Sequence, residues 1–112
     1  MAAGIYDITI EQYGEFAKAF QYLESDGVTP INLSGKVGKM QVRKTFKSPD
    51  VLVELSTVNG RMVLDASGNI TLALTAAQTG VLNWEDAFYD IVIDDERILQ
   101  GRAILDRGTT HA

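Results

Sequence analysis

The most constraining feature of the sequence is an alternation of apolar and polar residues with a period of two. "YDITIE" (6–11), "VLVELS" (51–56), "NITLALT" (69–75) and "YDIVID" (89–94) all show it. Such alternation is typical of strands with one face on a core and the other on water or a partner. The apolar residues predicted to share the buried faces are Tyr6, Ile8 and Ile10; Val51, Val53 and Leu55; Ile70, Leu72 and Leu74; and Tyr89, Ile91 and Ile93.

Turn signals separate these runs, namely "SDG", "VNG", "ASGN" and "DDE". The spacing predicts seven strands, at 5–11, 15–23, 36–46, 51–57, 61–65, 69–75 and 87–93, with an eighth near 97–105. Because Val37, Met40 and Val42 do not keep one parity, we expect a bulge in the third run. The pattern therefore predicts an all-β sandwich or small barrel of antiparallel strands.

One segment has a different pattern, "TAAQTGVLNW" (75–84). Thr75 followed three residues later by Gln78 has the spacing of a capping box, and Gly80 is a suitable helix stop. We expect one short helical turn near 75–80 that crosses between the sheets. "EFAKAF" fits a helix or a strand, and we interpret it as a strand.

The length of 112 residues predicts a single domain spanning 1–112, with flexible tails at 1–4 and 106–112. The chain has no cysteine, which removes disulfides and thiolate chemistry. "MAAGIYDIT" lacks the basic and apolar parts of an export signal, and no apolar run is long enough to span a bilayer. The net charge of −5 argues against nucleic acid. We therefore expect a cytoplasmic protein, or one carried out as part of something larger, with no membrane or nucleic-acid partner.

The sequence offers little for catalysis. The only histidine, His111, is next to the end, so no Ser-His-Asp arrangement can form. The carboxylate pairs Asp90 with Asp94 and Glu11 with Glu15 are expected on a solvated face, where the burial that raises the pKa of a general acid is missing. We predict a protein without enzymatic activity.

Binding motifs are equally weak. "DDE" (94–96) lacks the spacing of a calcium loop and is interpreted as a polar hairpin turn, and "SGKVGK" (34–39) departs from a phosphate loop. Trp84 is interpreted as a core residue rather than as a sugar platform. No cofactor and no metal are expected.

The charges form two runs. Twelve residues without an acid contain the cations Lys36, Lys39, Arg43, Lys44 and Lys47, and twelve without a base contain Glu85, Asp86, Asp90, Asp94, Asp95 and Glu96. One interpretation is protection of strand edges against aggregation. The other is a two-poled module that stacks head-to-tail or docks a complementary neighbour, so these residues, except Glu85, are the candidate interface. The basic run lacks the interleaved aromatic residues of a nucleic-acid stacking surface.

The order of several short motifs resembles a known family. "YDITIEQYGEF", "SDGVTPINLSGKVGKMQVRK", "VLVELSTVNGRMVLDASGNITLALTAAQTGVL" and "FYDIVID" followed by "RILQGRAIL" are similar to small virion proteins of tailed bacteriophages, and to the N-terminal domain of siphophage baseplate upper proteins. The likeness covers about residues 5–105 and includes Tyr6, Asp7, Ile8, Ile10, Glu11, Gln12, Phe16, Phe20, Asp26, Gly27, Pro30, Ile31, Leu33, Gly35, Met40, Arg43, Asn59, Gly60, Gly68, Ile70, Leu72, Leu74, Tyr89, Asp90, Ile91 and Gly101. Tyr13 and Gly14 stand where the family pattern has one Gly. A full baseplate upper protein carries a coiled-coil or receptor-linked extension after this domain, and we expect an adaptor without that extension.

The resemblance implies an immunoglobulin-like β-sandwich in the virion, made in the host cytoplasm. Its expected role is that of a structural adaptor in the tail, the baseplate or the fibre attachment, contacting other phage structural proteins or further copies of itself. Capsid decoration and carbohydrate binding through Trp84 are the alternatives.

Overall fold

A computed structural model of the protein describes residues 4–107, in nine strands and one short helix. The elements are β1 (Gly4–Ile5), β2 (Ile8–Glu11), β3 (Phe16–Gln21), β4 (Gly38–Arg43), β5 (Val53–Ser56), β6 (Met62–Leu64), β7 (Asn69–Leu74), α1 (Ala76–Gly80), β8 (Asp86–Ile93) and β9 (Glu96–Asp106). The helix has five residues, far fewer than a membrane crossing requires, and no other helix occurs in this part of the chain.

The strands form two sheets. The larger follows the order β1-β9-β8-β4-β5, with β2 also beside β9, and the smaller follows the order β3-β7-β6. This confirms the predicted two-sheet, mostly-β fold. The prediction of antiparallel strands throughout is wrong for β1 and β2, which run parallel to β9. Since most of the chain lies between these strands, no tight hairpin fixes their direction.

The predicted alternation places the core between the two sheets. Ile70, Leu72 and Leu74 of β7 face Tyr89, Ile91 and Ile93 of β8 within one buried cluster, and all six are buried. Ile8, Ile10 and Leu55 are buried as well, and Val53 is half-buried. Tyr6 and Val51 are exposed, because each precedes the strand to which the pattern assigned it.

The expected bulge lies in a different strand. Gly38, Met40 and Val42 keep one parity in β4 and all face the core, whereas Val37 precedes the strand and is exposed. The irregularity falls between β8 and β9, where Ile91 pairs with Leu99 and Val92 pairs with Arg97. Ile98 is thus the extra residue of β9, and it packs against the core.

The helix begins as predicted. Gln78 N–H donates to Thr75 Oγ1 over 3.2 Å, and Thr75 N–H donates to Gln78 Oε1 over 2.8 Å, which together form the capping box. The helix ends with Gly80 and links β7 of the smaller sheet to β8 of the larger one, as expected. "EFAKAF" is confirmed as a strand, because its last five residues open β3.

The first predicted strand is divided in two where the chain passes over Gly101. Tyr6 N–H donates to Gln100 O over 2.9 Å, the Tyr89 hydroxyl donates to Tyr6 O, and Asp7 Oδ1 accepts the Arg102 N–H over 3.0 Å. A Cβ at residue 101 would collide with the Tyr6 carbonyl, so this crossing requires glycine. The division explains why nine strands occur where seven or eight were predicted.

The predicted tails overlap the strands. Gly4 belongs to β1 and Asp106 to β9, so both residues are paired in the larger sheet. Arg107 is also described, whereas residues 1–3 and 108–112 of the predicted tails, including His111, lie outside the described residues.

Candidate docking surface

The central parts of the two charged runs lie side by side on inner strands of the larger sheet, and the ends of the runs extend into the adjoining loops. β4 pairs with β8 so that Gln41 lies opposite Asp90 and Arg43 lies opposite Phe88. Both strands have a neighbour on each side, β5 beyond β4 and β9 beyond β8. Protection of strand edges is therefore the wrong interpretation for the charged residues on β4 and β8, because neither strand is an edge.

The outer face of β4 and β8 carries the charged residues because the opposite parity is buried. Met40 and Val42 of β4, with Tyr89 and Ile91 of β8, point into the core. The alternate residues therefore face solvent, and we call this surface, formed by Lys39, Gln41, Arg43, Phe88, Asp90 and Val92, the β4–β8 face.

Most of the predicted acidic residues are already paired. Asp86 accepts from Arg102 over 3.0 Å, Asp90 lies 3.2 Å from Arg97, and Asp94 lies 3.4 Å from Lys36. The two arginines lie on β9, outside the candidate set. Their pairing depends on the register between β8 and β9, which the bulge at Ile98 shifts, and sequence spacing does not reveal that register.

Asp94 also holds the loop before β4. Its backbone N–H donates to Val37 O over 2.9 Å, and its Oδ1 accepts the Val37 N–H over 3.0 Å. The Val37 N–H, followed by Lys36, lowers the pKa of the Asp94 carboxyl. Asp94 and Asp95 both have positive φ, 49° and 68°, as a two-residue hairpin with a type I′ turn requires. The polar hairpin interpretation of "DDE" is confirmed.

Unlike most of the acidic residues, most cations of the basic run have no ion pair in the described part of the chain. Within residues 4–107, Lys36 is the only one of them with an ion pair; Lys39, Arg43, Lys44 and Lys47 have none. The Arg43 guanidinium donates to Ser48 O over 2.6 Å and to Gln41 Oε1 over 2.7 Å. Since both acceptors are neutral, Arg43 is held in place with its charge uncompensated.

Two aromatic rings accompany these cations. Phe46 lies in the loop between Lys44 and Lys47, and its ring centroid is 4.8 Å from that of Phe88, with the planes tilted by 36°. Phe46 is 51% exposed. The expectation that aromatic residues would be absent from the basic run is wrong: Phe46 lies within it, and the β4–β8 pairing adds Phe88 from the other run. We call Arg43, Lys44, Phe46 and Lys47 the basic corner.

The opposite end of the molecule is acidic. The loop before β4, the β6–β7 turn and the β8–β9 turn meet there, as contacts of Leu33 with Asp65 and of Val37 with Asp94 show. We call this the acidic end; Lys36 is its one lysine, and its carboxylates belong to Glu24, Asp26, Asp65, Asp94 and Glu96. Asp95, in the same turn as Asp94, instead lines a groove along the β4–β8 face that also contains Arg43 and Phe46.

Two of these carboxylates are fixed by their own loops. Asp26 accepts from the Thr29 hydroxyl and from the Thr29 and Val28 N–H groups, which lowers its pKa to about 2. Asp65 accepts from the Asn69 backbone and side chain and from the Ser67 N–H, and its pKa is lowered as well. Sequence reasoning missed both residues because they lie outside the charged runs.

The residues considered for other functions are placed as follows. Trp84 is buried, at 8% exposure, and its indole N–H donates to Ala103 O over 3.0 Å, which confirms it as a core residue. Glu11, Glu15 and Asp94 are exposed, so neither carboxylate pair forms a buried acid–base site. Between Gly4 and Arg107, no cluster of three or more possible ligand side chains is arranged to hold a metal ion.

Comparison of the chain with protein-family models gives no match, and none of the curated proteins matches it either.

Proposed function

We propose that the protein is a non-enzymatic structural component of a bacteriophage virion, acting as an adaptor in the tail, the baseplate or the fibre attachment. It works through protein–protein contacts made by the β4–β8 face and the basic corner. The observation that carries this proposal is the set of cations without an ion pair among residues 4–107 that lie around an exposed aromatic ring, at the end of β4 and in the loop that follows it. Arginine and aromatic side chains are enriched in the energetic centres of protein interfaces.

The strand order supports the immunoglobulin-like assignment within this proposal. In a variable-type immunoglobulin sandwich, one sheet contains strands B, E and D, and the other contains G, F, C and C′. The order β3-β7-β6 corresponds to the first sheet, and β9-β8-β4-β5 corresponds to the second. The parallel β1 and β2 then occupy the edge next to the last strand.

The motif resemblance is what favours a phage virion over other assemblies of β-sandwiches. Carbohydrate binding through Trp84 is the weaker alternative, since the indole is buried and its one donor is used within the core. Capsid decoration requires the same kind of docking surface, so the location in the particle has to distinguish it from the tail role.

Immunogold labelling of purified particles of the phage that encodes the chain tests the proposal. Gold at the tail tip or baseplate supports it, and gold on the head alone supports capsid decoration. If the particles contain none of the protein by mass spectrometry, the virion role is wrong.

A further inference from the structure

The basic corner and the acidic end are complementary in both charge and apolar contact. In the basic corner, the exposed Phe46 has a lysine before and after it, Lys44 and Lys47. In the acidic end, Val28 is 77% exposed beside Asp26, and the exposed Val37 adjoins Asp94. Each surface therefore places an apolar side chain beside charges that are mostly of one sign, with Lys36 as the exception at the acidic end, and the prevailing signs are opposite.

The two surfaces cannot meet within one molecule. β4 separates them, because the acidic end adjoins Gly38 at its start and the basic corner begins with Arg43 at its end. Six strand residues span about 20 Å. A second copy of the chain carries both surfaces, so it offers the complementary surface to each of them.

We infer that the acidic end of one copy docks on the basic corner of a second copy, giving head-to-tail association through a heterologous contact. Phe46 packs against Val28 and Val37 of the neighbour, while Arg43, Lys44 and Lys47 meet its carboxylates. Because each copy keeps one surface of each kind free, the contact propagates beyond two copies unless a ring closes.

The net charge of −5 does not prevent such a contact. At 0.1 M salt, the Debye length is about 10 Å. Repulsion between whole molecules, whose shortest dimension is 24 Å, is therefore largely screened. Opposite charges within the interface are only a few ångströms apart and are screened much less.

Sedimentation equilibrium of the purified protein over a wide concentration range at 0.1 M salt tests the inference. We expect the average mass to rise with concentration and to pass that of a dimer. Raising the salt to 0.5 M should reduce this association. A protein that stays monomeric would contradict the head-to-tail contact, and so would a dimer that charge-reversal variants leave intact.

Charge-reversal variants locate the contact. K44E/K47E in the basic corner and E24K/E96K in the acidic end should each weaken association by about tenfold or more. None of these four side chains makes a hydrogen bond or ion pair within residues 4–107, so the fold should be retained, as circular dichroism can verify. An equimolar mixture of the two variants should associate again, because each then supplies the charge that the other needs.

E11K/E15K is the matched control for the acidic end. Each Glu→Lys replacement adds two charge units, so E11K/E15K and E24K/E96K both move the net charge from −5 to −1. We expect E11K/E15K to associate at least as well as the wild type. An equal loss in both variants, or a mixture that fails to recover, would overturn the inference.

The apolar part of the contact has its own test. F46S should weaken association by about tenfold without changing the charge, whereas V63T on the outer face of β6 should leave it unchanged. A fluorescent single-stranded oligonucleotide serves as a competing probe. If it binds the wild type but not K44E/K47E, and the protein does not self-associate, the basic corner is a nucleic-acid site and the inference fails.

The inference rests on the proposed function as a docking module, but the two fail separately. Immunogold labelling reports the location in the particle whether or not the pure protein associates. Sedimentation reports self-association whether or not the protein is found in the virion.

Discussion

The two sheets present outer faces of very different chemistry. The larger sheet carries the β4–β8 face, with Lys39, Arg43 and Asp90 beside Phe88. The smaller sheet exposes a face without a single charge, formed by Ala17, Ala19, Gln21, Val63, Asn69, Thr71 and Ala73. Both sheets bury their inner faces in the same core. The fold makes the same demand on both inner faces and little on either outer face, so we attribute the difference between the outer faces to the docking role proposed for the β4–β8 face.

The comparison between the two outer faces would fail if their residues contributed strongly to stability. Substitutions at residues that do stabilise the fold therefore give the reference values of unfolding free energy. The largest effect is expected at the crossing of the N-terminal segment over residue 101. G101A places a methyl group against the Tyr6 carbonyl and should lower the free energy of unfolding by about 3–5 kcal/mol. Urea denaturation followed by tryptophan fluorescence measures it.

G14A is the control for that prediction. A Cβ at residue 14 meets its nearest neighbours at 3.5 Å or more, an ordinary contact distance. We expect a change of less than about 1 kcal/mol. Equal losses in G14A and G101A would show that the crossing is not the sensitive point.

The second effect concerns the buried hydroxyl beneath the same crossing. Y89F removes the donor to Tyr6 O and should cost about 1–2 kcal/mol in unfolding free energy. Burial, with a smaller contribution from Asp7, raises the pKa of Tyr89, so this hydroxyl remains a donor at neutral pH. Y22F is the matched control, since no hydrogen bond of the Tyr22 hydroxyl occurs in the described part of the chain. A loss in Y22F as large as in Y89F would contradict the assignment.

The third effect is a dependence of stability on pH that arises at the acidic end. The pKa values of Asp26, Asp65 and Asp94 are lower in the folded chain than the ordinary value of 3.8. Their contribution is therefore present above the unfolded pKa and is lost as the pH falls through the folded pKa. The urea midpoint should decline from about pH 5 downward, with Asp26 contributing down to about pH 2.

Replacing one of these acids shows whether the pH dependence arises at the acidic end or from the protonation of carboxylates in general. D65N should lower the urea midpoint at pH 7 and reduce its decline on acidification, because the carboxylate that accepts from Asn69 and Ser67 is gone. D50N, at an exposed carboxylate without a hydrogen bond or ion pair among residues 4–107, should do neither. A D65N profile that matches the wild type at every pH would contradict this account.

The smallest effects are expected on the outer faces themselves. V63T on the smaller sheet and K44E/K47E at the basic corner should each change the free energy of unfolding by no more than about 0.5 kcal/mol. The two variants should differ only in association. If K44E/K47E loses several kcal/mol in urea denaturation, the basic corner stabilises the fold, and the comparison between the faces fails.

The sequence predicts the parts of this fold that depend on local pattern. Alternation identified the buried residues of β7 and β8, and the spacing of Thr75 and Gln78 identified the start of the helix. These features are local because side-chain direction in a strand and the first turn of a helix depend on neighbouring residues.

The sequence does not predict what depends on long-range pairing. The parallel alignment of β1 and β2 with β9 joins the two ends of the described chain, and the bulge at Ile98 sets which arginine reaches Asp90. The contact between Phe46 and Phe88 likewise exists only because β4 and β8 are neighbours. The charge runs therefore identified the charged residues of the candidate surface, but neither the arginines that pair with Asp86 and Asp90 nor the contact between Phe46 and Phe88.

The central claim is that the protein acts through the β4–β8 face and the basic corner. Hydroxyl-radical footprinting of the isolated protein and of purified phage particles tests it most directly, with Phe46 as the reporter and the exposed Val63 of the smaller sheet as the reference. We predict that oxidation of Phe46 falls several-fold in the particle while that of Val63 changes little. Unchanged oxidation of Phe46 together with protection of Val63 would contradict the claim, because the contact would then lie on the uncharged face.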